Sequence, residues 1–270
     1  MLQDPTFKEQ IHQANVVVHR SEARYYEALH PEVYSKQEQK RIITILSDID
    51  KKIDNNKRVA LDIGAGTGNL TGKLLSMGYF VTATDISPEM CEIIYKKYKK
   101  NFPEKLKIIN SPIEEIQFDE EKFDLIASYS VLHHIPDYLS ALKQLIKSLK
   151  KGGMFYIDHE ASPSYWNDEP TSLASLVKAL YFHSNPTINA VYFKIIGLGV
   201  PSIDYTLSDY WHKKEHALSH QMIRQVFKET NFSYYKRVDH YLHATWLPNP
   251  LSFLYRILCA PEMSSWIAKK

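Results

Sequence analysis

The sequence predicts an α/β fold: a doubly wound, mostly parallel sheet of seven strands with N-terminal helices and a helical lid insertion. Short apolar runs alternate with segments of helical period between residues 57 and 158, which is typical of a parallel sheet covered on both faces. A glycine-rich turn directly follows the first run, and Asp85 ends the second. Ligands of such sheets bind at the carboxyl ends of the strands, so these features predict a binding site at that edge.

The strands are predicted from short apolar runs bounded by turn residues. The first five have the character of buried parallel strands, and two runs near the C-terminus complete the sheet, the last as a short edge strand. In chain order, the predicted strands are residues 58–63, 80–84, 106–110, 123–130, 154–158, 232–238 and 264–268.

The helices are predicted from capping residues and apolar stripes. Ser35 and Glu38 form a capping box before an apolar stripe. Ser87 followed by Pro88 gives an N-cap with proline in the first turn, and Gly78 stops the preceding helix. Helices are predicted from Ser35, over residues 69–77, from Ser87, from Asp137 and over residues 219–229.

Three glycines, Gly64, Gly66 and Gly68, follow the first strand. Glycine permits a sharp turn and a close approach of the backbone to a ligand, so we expect a nucleotide-like cofactor here. The spacing G-x-G-x-G differs from the G-x-G-x-x-G fingerprint of dinucleotide-binding folds. The motif therefore argues against NAD or a flavin dinucleotide.

The chain divides into four predicted parts. Residues 1–56 form an N-terminal helical lid or cap, and residues 57–160 form the cofactor-binding α/β core. Residues 161–216 are a lid or substrate-binding insertion rich in large apolar side chains, and residues 217–270 complete the α/β domain. Long insertions at the ligand edge commonly form lids or pockets.

Composition narrows the class of partner. Lysine and arginine number 33 and aspartate and glutamate 31, so the formal net charge is only +2. This balance gives no long-range field to attract nucleic acid, which we do not expect as a partner. Two widely separated cysteines, Cys91 and Cys259, favour a reducing, cytoplasmic location. We expect no secretory signal and no transmembrane anchor.

The ordered motifs resemble the class I S-adenosylmethionine-dependent methyltransferases over about residues 57–160. The resemblance rests on the glycine turn, on Asp85 and on the segment Phe123-Asp-Leu-Ile-Ala-Ser-Tyr-Ser-Val-Leu-His-His-Ile-Pro-Asp137. This last segment is similar to the small-molecule branch that includes quinone-biosynthesis methyltransferases.

The resemblance implies roles for individual residues. The backbone of the glycine turn passes the methionine part of S-adenosylmethionine, Asp62 helps to hold its ammonium group, and Asp85 binds both ribose hydroxyls. Ile86 lies against the adenine. An acidic residue that often contacts the adenine amino group is replaced here by Pro112, so Ile113, Ser111 or Glu114 would take that contact. The cofactor-binding set expected from the resemblance is Asp62, Gly64, Ala65, Gly66, Gly68, Asp85, Ile86, Pro112, Ile113, Ser128, Tyr25 and Tyr26.

Tyr25 and Tyr26 belong to a segment ahead of the core that often folds over the cofactor in related methyltransferases. Ordinary aromatic packing is an equally good interpretation of these two side chains.

Three histidines are candidates for catalysis. His133 and His134 follow the fourth strand, and His159 ends the fifth, so all three are expected near the ligand edge. An unperturbed histidine titrates near pH ~6.5, which suits a general base. Backbone hydrogen bonding or pocket lining is the structural alternative.

No metal site is expected. His212, His216 and His220 recur every fourth residue, but Ser219 starts a helix better than it continues one, which breaks the common face.

The sequence therefore predicts an S-adenosylmethionine-dependent methyltransferase that acts on a small, partly apolar molecule by in-line displacement. Two alternatives remain open: a module that binds the cofactor without transferring a methyl group, and an NAD-type oxidoreductase. The apolar run at residues 246–258 leaves open a peripheral membrane contact or a homodimer.

Overall fold

One seven-stranded sheet organises the chain, as expected. The computed structural model describes residues 5–53, 58–166, 205–213, 216–241, 252–253, 255–256 and 260–270. The strands are β1 Val59–Ile63, β2 Phe80–Asp85, β3 Leu106–Asn110, β4 Phe123–Tyr129, β5 Leu149–Ala161, β6 Tyr234–His240 and β7 Met263–Lys269. Most of the predicted insertion and of the apolar run at residues 246–258 lies outside the described residues.

Helices cover both faces of the sheet and precede it. The α-helices of the described residues are α1 Pro5–Glu22, α2 Tyr26–Leu29, α3 Pro31–Tyr34, α4 Lys36–Asp50, α5 Asn69–Ser76, α6 Pro88–Ile94, α7 Tyr138–Ser148, α8 Tyr205–Ser208 and α9 His220–Glu229. Short 3₁₀ turns lie at Ile113–Glu115, Leu132–His134 and Pro163–Trp166, and a π-helical turn at Tyr95–Lys99 extends α6.

The strand order is β3-β2-β1-β4-β5-β7-β6. Strands β1 to β5 pair in parallel, whereas β7 runs antiparallel to both β5 and β6. The order reverses between β1 and β4, and this switch point is where open α/β sheets bind ligands.

The last strand occupies a different place from the one expected. We predicted a short edge strand over residues 264–268, but β7 lies inside the sheet and β6 forms the edge. The burial of the two strands gives the reason: Met263 to Ala268 are all buried, whereas β6 carries Lys236 and Arg237 on exposed positions. Charged side chains are typical of edge strands, where they oppose further pairing.

Two apolar cores form on opposite faces of the sheet because side chains alternate along each strand. Leu61 and Ile63 of β1 pack with α7 and α9 on one face. Ala60 packs with α4 and α5 on the other. The same alternation directs the side chain of Asp62, between Leu61 and Ile63, towards α5.

Helix caps form where the sequence predicted them. The side chains of Ser35, Ser87 and Ser219 accept backbone N–H groups of Glu38, Met90 and Met222. Since Ser219 is the N-cap of α9, His212, His216 and His220 do not share one helical face. Within the described part of the chain, no helix combines the length and the apolar character that crossing a membrane requires.

Candidate active site

A cleft opens at the carboxyl ends of β1, β2 and β4, at the switch point of the sheet where open α/β sheets bind ligands. Helix α1 covers one side of the cleft. The lining includes His12, Asn15, His19, Tyr26, Gly64, Gly66, Asp85, Ile86, Met90, Pro112, Ile113, Tyr129, Val131 and His134.

The glycine turn after β1 adopts a conformation that other residues avoid. Gly64, Gly66 and Gly68 have φ angles of 57°, 54° and 88°. A Cβ atom on Gly64 would lie 2.6 Å from a methyl group of Val131, and one on Gly68 would lie 2.6 Å from the Tyr98 ring. A Cβ on Gly66 would meet nothing within 4 Å, and Gly66 lines the cleft. Gly66 therefore leaves room for a ligand beside the backbone.

Asp85 ends β2 beside this turn and lines the cleft. Its carboxylate accepts the backbone N–H of Gly66 at 2.8 Å and that of Ser87 at 2.9 Å. Burial raises the pKa of Asp85, while nearby His19 and the two N–H donors act in the opposite direction. A carboxylate has about four acceptor positions, so Asp85 keeps acceptor capacity for a diol in the cleft.

The side of the cleft after β3 is formed by the turn that carries Pro112. Ser111, Pro112, Ile113 and Glu114 all line the cleft there. Asn110 holds the turn in place because its amide donates to the carbonyl groups of Asp85 and Ile86, each at 2.9 Å. This wall offers backbone and side-chain groups close to the expected adenine position.

Several residues expected to bind the cofactor lie outside the cleft lining. Asp62 is buried, accepts the hydroxyl of Thr71 at 2.5 Å, and has a pKa that burial raises to about 7. Ala65 and Ser128 are also buried, and Gly68 packs under Tyr98. Tyr25 is exposed, whereas Tyr26 lines the cleft.

Of the three candidate histidines, His134 lines the cleft, whereas His133 and His159 do not. Nδ1 of His134 lies 2.8 Å from the carbonyl oxygen of Ser208. A carbonyl only accepts, so Nδ1 carries the proton and Nε2 keeps its lone pair. Burial, followed by the charges of His133 and His19, lowers the pKa of His134, which keeps its imidazole neutral.

His133 has a structural partner. Its Nδ1 lies 2.8 Å from Glu160, whose other oxygen accepts the backbone N–H groups of Val131 and Leu132 at 3.0 and 2.8 Å. Burial lowers the pKa of His133, but the Glu160 carboxylate more than offsets this, and the net change is upward. Glu160 thus fastens the turn after β4 to the end of β5.

His159 lies behind Tyr129 rather than in the cleft. Its Nδ1 is 2.9 Å from the Tyr129 hydroxyl, and the two rings stack with centroids 4.7 Å apart. Burial lowers the pKa of His159 to about 4.

Sequence reasoning missed three residues of α1 that line the cleft, His12, Asn15 and His19. Asn15 donates to the carbonyl of His134 at 3.2 Å, and His12 lies 3.4 Å from Glu114. The spacing of these residues, i, i+3 and i+7, places them on one helical face. That polar stripe was a signal, although it does not by itself show which surface the helix covers.

Three features of the cleft match the chemical groups of S-adenosylmethionine. Gly66 provides a gap that a Cβ atom would fill, Asp85 provides acceptors for a sugar diol, and Ile86, Met90 and Ile113 provide apolar surface for a base.

Comparison with known proteins finds similarity to methyltransferases. Residues 61–157 match the family model described as a methyltransferase domain. A demethylmenaquinone methyltransferase of Staphylococcus aureus (strain MRSA252) is 33% identical over 108 residues, which cover 39% of this chain and 44% of that protein. The match thus spans less than half the length of this relative.

Solved structures share the fold. An S-adenosylmethionine-dependent methyltransferase from Archaeoglobus fulgidus aligns with a TM-score of 0.54 and 17% identity, over 91% of this chain and all of that chain. Phosphoethanolamine N-methyltransferase 2 of Haemonchus contortus, solved with S-adenosylmethionine, aligns with a TM-score of 0.53 and 15% identity. That alignment covers 84% of this chain and 52% of the other.

Proposed function

We propose, from the premise that this chain carries a class I S-adenosylmethionine-dependent methyltransferase domain, that it methylates a small, partly apolar molecule. One observation carries the proposal: Asp85 and the open side of Gly66 face the same cleft at the switch point of the sheet. This arrangement provides a sugar-binding carboxylate next to a backbone that a cofactor can approach closely.

S-adenosylmethionine supplies an electrophilic methyl group when bound. The task of the protein is to hold the acceptor in line with that methyl group and to exclude water. Asp85 would anchor the ribose. Helix α1, attached through Asn15 and through the Arg20–Glu89 ion pair at 2.7 Å, would cover the cleft.

We propose His134 as the base for an acceptor that must lose a proton. Its Nε2 keeps a lone pair, and its imidazole is neutral at pH 7 because burial lowers the pKa. The His134→Gln variant should retain cofactor affinity and lose about 10²–10⁴-fold in kcat, the usual contribution of a general base. Steady-state kinetics with the identified acceptor would measure this. An unchanged kcat would assign His134 to pocket lining.

The apolar side of the cleft supports a partly apolar acceptor, since Met90, Val131 and Ile135 line it. The likeness to a demethylmenaquinone methyltransferase makes demethylmenaquinol a suitable first probe. Phosphoethanolamine is the matched hydrophilic probe. S-adenosylhomocysteine release with the quinol and not with phosphoethanolamine is the expected result, and the reverse preference would contradict the apolar acceptor.

Calorimetric titration with S-adenosylmethionine tests the cofactor site. The Asp85→Ala variant should lose at least about tenfold in affinity, because hydrogen bonds to a charged group are worth about 1.5–3 kcal/mol. The matched control is Asp119→Ala, since the side chain of Asp119 is 87% exposed and is not part of the cleft lining. Equal affinity of wild type and Asp85→Ala would defeat the proposed site.

Two alternative functions are less well supported. A module that binds cofactor without turnover would show calorimetric binding but no S-adenosylhomocysteine with any acceptor. An NAD-type oxidoreductase is disfavoured by the G-x-G-x-G spacing at Gly64, Gly66 and Gly68.

We also propose a cytoplasmic location, supported by the two widely separated cysteines, which fit a reducing compartment. Peripheral membrane contact through residues 246–258, or a homodimer formed there, remains a proposal. Liposome flotation and sedimentation velocity test these two. Protein that stays off the liposomes and sediments as a monomer would exclude both.

A further inference from the structure

A second polar cluster lies next to the cleft, beneath α4. Glu38 and His159 are buried, and His240, at the end of β6, is partly buried. One carboxylate oxygen and one ring nitrogen from each histidine lie within 4.8 Å of one another. Tyr129 separates this cluster from the cleft, since its ring lines the cleft and stacks on His159.

The hydrogen bonds around His159 determine which of its nitrogens carries the proton. Glu38 pairs with the Arg41 guanidinium, with Nε and Oε2 2.7 Å apart, and is therefore an ionised acceptor. Tyr129 gives its single proton to Glu38 at 2.8 Å. The contact of 2.9 Å between Tyr129 and Nδ1 of His159 then requires a proton on Nδ1. Nε2 of His159 is left with a lone pair.

The same reasoning applies to His240. Ser265 donates its hydroxyl proton to Asp158 in a short hydrogen bond. Its oxygen then accepts Nδ1–H of His240 over a longer distance of 3.4 Å. Nε2 of His240 is buried and has no hydrogen-bond partner among the residues that the structure describes. A buried acceptor without a partner is costly, which points to a ligand that it binds.

Charge in this region suits a cation. The carboxylates of Glu38 and Asp158 face one guanidinium, that of Arg41, which leaves one net negative charge. The hydrogen bonds at Nδ1 leave Nε2 of both His159 and His240 as the candidate ligand atoms. His159 also has a φ of 60°, a strained conformation for a residue with a side chain. Strain of this kind concentrates at functional sites.

We propose that Glu38, His159 and His240 bind a divalent first-row transition ion such as Zn²⁺. Two neutral imidazoles and one carboxylate are an established ligand set for such ions and leave a coordination position open. Tyr129 and Ser265 hold the Nδ1–H groups of the two histidines, as outer partners of metal-bound histidines do. Arg41 competes for Glu38 but can remain paired with Asp158, 2.7 Å from its guanidinium.

This site departs from our expectation, from the sequence, that the protein holds no metal. Metal binding here does not rest on the proposed methyl transfer, because the three ligands are not part of the cleft lining. Wild-type chain that binds metal but no S-adenosylmethionine would support the metal site and contradict the proposed function. Wild-type chain that binds S-adenosylmethionine but no metal would support the proposed function and contradict the metal site.

The test uses the full chain after chelator treatment and dialysis. Calorimetry with ZnCl₂ should show one ion per chain, and CoCl₂ should give visible d–d absorption typical of a four- or five-coordinate site. His240→Ala should lose saturable Zn²⁺ binding and the Co²⁺ spectrum. His216→Ala is the matched control, because His216 packs on Tyr210 with ring centroids 4.8 Å apart and is not part of the cluster.

A second variant keeps the test informative if His240→Ala fails to fold. Ser265→Ala removes the partner of Nδ1–H while leaving every ligand in place, and it should weaken Zn²⁺ binding about 10–100-fold. Absence of saturable binding and of a Co²⁺ spectrum in the folded wild type would overturn the proposal. Equal Zn²⁺ affinity in wild type and folded His240→Ala would do the same.

Discussion

At the scale of single residues, the three glycines after β1 differ in what a side chain at each position would meet. Gly64 and Gly68 are glycines because packing excludes a side chain, through Val131 and Tyr98 respectively. Gly66 has no such neighbour within 4 Å, and its open side is in the cleft. The left-handed backbone favours glycine at this position, and under the proposed function a bound cofactor would be a second reason.

This difference predicts the behaviour of Gly66→Ala. The added methyl group would occupy the cleft, so S-adenosylmethionine affinity should fall by at least about tenfold while the chain still folds. The control is Gly78→Ala, because Gly78 also has a positive φ and nothing within 4 Å but lies outside the cleft. Backbone strain of about 1–2 kcal/mol should destabilise both variants. Calorimetry should find an affinity loss in Gly66→Ala alone, and equal affinities would refute a cofactor at Gly66.

At the scale of elements, the ends of β4 and β5 are joined by one buried carboxylate. Glu160 accepts two backbone N–H groups from the turn after β4 and pairs with His133. This turn also carries His134 and Val131 into the cleft. The two histidines after β4 thus have different surroundings: His133 holds the turn through Glu160, and His134 lines the cleft.

The Glu160–His133 pair predicts a pH-dependent stability. The pKa of Glu160 is lowered. Its contribution to the free energy of unfolding is therefore present above pH 4.5 and is lost as the pH falls through the lowered pKa. The pKa of His133 is raised. Its contribution to the free energy of unfolding is therefore present below pH 6.5 and is lost as the pH rises through the raised pKa. The pair should therefore stabilise the fold fully between pH 4.5 and 6.5.

Urea denaturation of Glu160→Gln and wild type checks this prediction. Removing one partner of a buried ion pair typically costs about 3–5 kcal/mol, and the loss should be larger at pH 6 than at pH 9. Exposed Glu120 provides the control variant, Glu120→Gln, with no comparable loss. A loss in Glu160→Gln that does not change with pH would show that the pair is not ionised.

At the scale of the whole molecule, cofactor binding should stabilise the fold. A ligand at a hundredfold excess over its Kd adds about 2.7 kcal/mol to the free energy of unfolding. For a chain of this size, that corresponds to a rise in Tm of about 5–10 °C. Differential scanning fluorimetry should show this rise with S-adenosylmethionine and none with NAD⁺. A rise with NAD⁺ alone would favour an oxidoreductase.

The sequence by itself determined the fold class, the strands, the helix caps and the glycine turn with Asp85, because each depends on the spacing of nearby residues. Tertiary structure decided that β7 lies inside the sheet, that α1 covers the cleft, and that His134 lines it while His133 does not. It also brought Glu38, His159 and His240 together. These contacts join residues far apart in the chain, and they depend on the order of the strands in the sheet. The spacing of nearby residues does not determine that order.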